Sequence, residues 1–138
     1  MKTKTKIIFG VVGLVIILLI VLVSISLFGS IENSRTDGIE DYKLTKEEIA
    51  DSKKVFEELD ELKKFDMYAN NKTIKVDVIL EKEVSSDNIK KLSNEMLGKI
   101  SGKNKLFYDV EIFIDTKEES ESYPLIGHKH KSSEEFVW

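Results

Sequence analysis

The chain has 138 residues, of which 41% are hydrophobic and 33% charged, with no cysteine and a formal net charge of −4. Without cysteine there is no disulfide, no thiolate nucleophile, no cysteine-ligated zinc or iron–sulfur centre and no lipobox cysteine to carry a lipid. Three of the 21 basic residues and none of the 25 acidic ones lie in residues 1–28, so the rest of the chain carries a net −7, which argues against nucleic acid or anionic lipid as the partner of that part.

Residues 1–6 form a basic head with Lys2, Lys4 and Lys6. Residues 7–28, IIFGVVGLVIILLIVLVSISLF, are uncharged. As a helix this run is about 33 Å long, enough to cross a hydrocarbon core of roughly 30 Å. It is longer than the apolar core of a cleaved signal peptide, about 7–15 residues. The one small-x-small site, Ser24-Ile25-Ser26, is a weak match to a cleavage signal. A retained signal-anchor is therefore the expectation, with the bilayer as the partner of residues 7–28. Lysines before the run, against Glu32, Asp37, Glu40 and Asp41 after it, orient a single-pass protein with its N-terminus cytosolic and its C-terminal domain extracellular. Gly10 and Gly13 lack the four-residue spacing of a helix-dimer motif. Arg35 is the only arginine, a bias that fits an AT-rich genome and, with no disulfide, a Gram-positive bacterium.

Residues 29–43 are polar and aperiodic and read as a flexible tether. Thr45 with Glu48 makes a capping box, and Leu44 with Ile49 a hydrophobic staple. They start a predicted helix over 46–65, with Ile49, Ser52, Phe56, Leu59, Leu62 and Phe65 on one stripe. Thr73 to Lys82 alternates as a half-buried strand, Ile74, Val76, Val78 and Leu80 facing in and Ile79 facing out. Ser85-Ser86-Asp87 offers caps for a second helix carrying Ile89, Leu92, Met96, Leu97 and Ile100, with Gly102 as its stop. Lys105 to Asp115 is a second strand, with Leu106, Tyr108, Val110, Ile112 and Ile114 inward and Phe107 and Phe113 outward. Pro124 would confine a third strand near 123–129 to an edge, and a tail starts at about 131.

The fold class that follows is α+β: the N-terminal transmembrane helix, then a small two-layer sandwich at 44–138 in the order α-β-α-β, with a further C-terminal edge strand as an option. The strand–helix–strand connection requires the two main strands to run parallel.

No nucleophile elbow or phosphate loop is present, so an enzyme is not expected and no cofactor is implied. Asp77, Glu81, Asp109 and Glu111 alternate on the outer face as a solvated charged sheet surface. His128 and His130, two residues apart, would share a face if extended. Two imidazoles make a weak metal site, the basis of an alternative reading as a ligand- or metal-binding sensor. The leading expectation is a membrane-anchored extracytoplasmic interaction domain that binds another envelope protein or itself. Its candidate surface is Ile79, Phe107, Phe113, Tyr123, His128, His130, Phe136 and Trp138, the last two folding back onto the domain, anchoring a partner or staying disordered as free termini often do.

Overall fold

The computed structural model describes residues 12–22 and 37–138, and the chain divides into two units, Met1–Asp37 and Gly38–Trp138. In the first unit residues 12–22 are helical and mostly exposed. Among the described residues no helix is long and apolar enough to cross a membrane. The rest of the expected span, 7–11 and 23–28, lies outside the described residues, as do the basic head and 29–36.

The second unit is a small α+β domain. After a 3-10 turn at Ile39–Asp41 come α1 (Lys46–Glu57), β1 (Leu62–Asn70), β2 (Thr73–Leu80), α2 (Ser86–Leu97), α3 (Gly102–Phe107), β3 (Asp109–Thr116) and β4 (Leu125–Lys129). The four strands form one mixed sheet in the order β1-β2-β3-β4. As the crossover rule requires, β2 and β3 are parallel. β1 and β4 flank them antiparallel, and β4 is the edge strand that Pro124 allowed.

The capping box forms as expected: Thr45 Oγ1 accepts from the Glu48 amide at 3.1 Å, and the Glu48 carboxylate accepts from the Thr45 amide at 2.8 Å. The helix expected over 46–65 is corrected, because α1 ends at Glu57 and residues 62–70 are strand. Leu59, Leu62 and Phe65 recur at helical spacing, but Phe65 and Met67 also alternate. Asn71, at φ 53°, turns the chain in a conformation asparagine tolerates. That turn lays Phe65 beside Val78 and Met67 beside Val76 and gives β2 its missing backbone partners. A bulge between Leu62 and Lys64 absorbs the change of register.

The expected strand from Lys105 is corrected as well. Gly98, not Gly102, caps α2, and Ser101 caps a new short helix through the Asn104 amide. Leu106, expected inside, is consequently 73% exposed, whereas Tyr108, Val110, Ile112 and Ile114 face the core as the alternation required. Phe107 leaves the sheet altogether and stacks face to face on Tyr42 with ring centroids 4.2 Å apart. Lys72 and Lys103 lie over the outer faces of these two rings at 5.5 and 5.0 Å. Tyr108 Oη donates to the Tyr42 carbonyl at 2.7 Å. The domain's packing thus starts at Gly38, inside the stretch read as tether.

The helices cover one face of the sheet. Phe56 and Val55 of α1 and Ile89, Leu92, Met96 and Leu97 of α2 close on Ile74, Val76, Val78, Leu80, Val110, Ile112 and Ile114. The segment after β4 joins this core. Phe136 is buried, and Val137 pairs with His128 through two backbone hydrogen bonds of 2.9 and 2.8 Å. The Trp138 ring lies against Gly127, where a Cβ would come within 3.0 Å of it.

Candidate functional site

The uncovered sheet face is built by the residues that alternate away from the core. Across it, Tyr68 stands beside Lys75, Lys75 beside Glu111 and Glu111 beside His128. In the next row Asp66 pairs with Asp77, Asp77 with Phe113 and Phe113 with Ile126. The first row is a chain of polar contacts. Lys75 bonds Glu111, whose other oxygen lies 3.8 Å from His128 Nδ1. The Glu111 bond holds the Lys75 ammonium above its ordinary pKa. Tyr68 Oη donates to Asp77 at 3.4 Å, and Lys64 Nζ pairs with Asp66 at 2.9 Å, which raises the Lys64 pKa in the same way.

The second row ends apolar. Phe113 is 37% exposed and Ile126, its cross-strand neighbour, 60%. Val137, paired with His128 in the same alternation, is exposed as well. Three apolar side chains therefore stand together toward the β4 edge, bordered by Glu111, Asp77 and His128. Charged positions around an apolar centre are the usual anatomy of a protein contact surface.

The residues singled out by sequence fall into five places. Ile79, Phe113 and His128 lie on this open face. His130 sits just beyond β4, its Nε2 3.8 Å from Asp109 and its Nδ1 2.6 Å from Ser132 Oγ. Phe107 packs on Tyr42. Tyr123 and Phe136 are in the core, Tyr123 donating its hydroxyl to the Val84 carbonyl. Trp138 packs beside Gly127, with Lys90 5.9 Å above its ring. The two histidines do share a side of the strand, but each faces a different carboxylate. Among the described residues, no three His, Cys, Asp or Glu side chains gather as a metal site.

Sequence reading missed Tyr68 and Ile126. Tyr68 lies just past the helix expected over 46–65, in a stretch given no element, although Phe65, Met67 and Asn70-Asn71 already carried the strand and turn signal. Ile126 follows from the alternation of Leu125, Gly127 and Lys129 inward, which becomes legible only when the register with β3 is known. No known family model, characterised protein or solved structure matches the chain.

Proposed function

We propose that this protein is a membrane-anchored extracytoplasmic interaction domain that binds another envelope protein, or a second copy of itself, through the open sheet face. The observation that carries this reading is the Phe113–Ile126 pair, exposed side by side on a face no other element covers among the described residues. The anchor is supported by the uncharged run 7–28 behind Lys2, Lys4 and Lys6. Anchoring raises the effective concentration of the domain near other membrane proteins, so a modest patch suffices.

The test is chemical crosslinking of the full chain in native membranes, wild type against the Phe113→Asp/Ile126→Asp double variant. The wild type is expected to give discrete crosslinked products that the variant loses while remaining folded. Identical products from both, or none from the wild type, would overturn the reading. Deleting residues 132–138 is not a suitable test, because it removes Phe136 from the core.

A further inference from the structure

Lys129 is an exception in the core. It faces inward from β4, in register with Val110, and is 2% exposed. Its Nζ donates to two backbone carbonyls, Lys105 at 3.3 Å and His130 at 3.2 Å. An ammonium has three hydrogens to place, and among the described residues no carboxylate forms an ion pair with this one. A buried charge without a counter-charge is costly, and an apolar side chain would fill the position at no electrostatic cost. Burial accordingly pushes the Lys129 pKa below its ordinary value. The charge of Lys105 adds to this, and Asp109 opposes it.

Lys129 lines a pocket of about 460 Å³ between the end of α2, α3 and the segment after β4. Leu97 and Leu106, with the bare backbones of Gly98 and Gly102, make the apolar part of its lining; Asn94, Ser133, Lys105, Lys131 and Glu134 make the polar part, in which lysines outnumber the one carboxylate. A pocket of this size, part apolar and part lysine-lined, suits a small anionic molecule.

We propose that this pocket binds a small organic carboxylate, its head group on the Lys129 ammonium and its hydrocarbon body against Leu97 and Leu106. The carboxylate supplies the ion-pair partner that no described residue gives Lys129. Inorganic phosphate would meet the same ammonium but leave the leucine wall without a partner. The pocket opens on the helical side of the sheet, away from the Phe113–Ile126 face.

The test titrates the full chain, in a non-ionic detergent, with hexanoate, hexanamide and inorganic phosphate, following backbone amide resonances. Hexanoate is expected to give saturable shifts at Gly98 and Gly102, with hexanamide and phosphate far weaker. Lys129→Met should weaken hexanoate by about tenfold or more, the loss of one charge-assisted hydrogen bond. Gly102→Leu keeps Lys129 and sends its side chain into open space at the pocket wall. It should weaken hexanoate as well and decides the matter if Lys129→Met does not fold. Hexanamide or phosphate binding as tightly as hexanoate overturns the proposal, as does undiminished hexanoate binding by either folded variant.

Discussion

Replacing Glu48 tests the contact that joins the first helix to the third. Its carboxylate accepts from the Thr45 amide and hydroxyl at 2.8 and 3.0 Å. It also accepts from the Ser101 amide at 2.8 Å and from Asn104 Nδ2 at 3.0 and 3.1 Å. One side chain thus closes the capping box of α1 and, 53 residues later in sequence, satisfies the backbone that starts α3. In Glu48→Ala, Thr45 is near enough to the surface to find water. The part-buried Ser101 amide loses its acceptor, and the buried Asn104 Nδ2 keeps only the Lys43 carbonyl at 3.4 Å. At about 1–3 kcal/mol for a buried donor that loses its main acceptor, plus about 1 kcal/mol for the lost cap, the cost is about 2–4 kcal/mol. For a domain of this size that is on the order of 20 °C in Tm. Glu48→Gln keeps one acceptor oxygen and should lose about 1–2 kcal/mol.

Acidity supplies a second readout of the same contact. Burial alone pushes the Glu48 pKa up, but the hydrogen bonds from Thr45 and Ser101 outweigh it, so the folded pKa lies below 4.5. The stabilisation by the carboxylate is therefore complete above pH 4.5 and is lost as pH falls through the lower, folded value. Thermal unfolding followed by circular dichroism should show Glu48→Ala far below wild type at pH 7, and the gap between wild type and Glu48→Gln closing in acid. A Glu48→Ala protein within about 5 °C of wild type at pH 7 would refute the reasoning, since even one stranded buried donor costs as much.

Ser52 is fully buried in α1 and its hydroxyl has no hydrogen-bond partner among the described residues. Ser52→Ala should therefore stabilise by about 1 kcal/mol, seen as a higher urea midpoint at unchanged slope. Gly127→Val places a Cβ 2.9 Å from Ile112 Cγ2 and 3.0 Å from the Trp138 ring. Trp138 is the chain's only tryptophan, so its displacement should appear as a red-shifted emission, and an unchanged spectrum would count against the packing of the terminal segment. The Phe113→Asp/Ile126→Asp variant extends the Asp66–Asp77 row to four carboxylates and should cost about 1–3 kcal/mol in urea unfolding while leaving the domain folded. It should also leave hexanoate binding intact, because the Lys129 pocket lies across the sheet.

What the sequence made legible was structure expressed by neighbours. The strict alternation of Ile74, Val76, Val78 and Leu80 belongs to one strand alone, and the Thr45–Glu48 box is complete within four residues. The parallel pairing followed from connectivity. The failures needed a distant partner to decide them. Leu62 and Phe65, three residues apart, fit a helix and reach the same side of a strand only through the bulge between Leu62 and Lys64, which the pairing with β2 across the hairpin sets. The alternation through Tyr108 runs backward by chance into Leu106, while the Ser101 cap and its bond to Glu48 make that stretch helical. For the candidate site, the common side of His128 and His130 was readable from spacing, but Glu111 and Asp109, which occupy them, come from β3. The inward turn of Lys129 depends on the β4 register, to which no local pattern is tied.

An open sheet face is not in itself a functional mark. About a hundred residues with two principal helices can build one covering layer, and the other face must meet water. Most of this face is what that constraint alone would produce: Lys75, Asp77, Glu111 and Asp115 alternate outward, charged and paired or solvated. Phe113 and Ile126 depart from the pattern at adjacent positions in register, where a charged pair across the strands would serve folding equally well. If they are only tolerated, replacing both with aspartate changes neither the crosslinked products nor the fold. If the domain uses them, the same substitution leaves the domain folded and the Lys129 pocket unchanged and removes the contact. β4 makes the two outcomes separable, because its alternation sends Ile126 and His128 to one side of the sheet and Lys129 to the other.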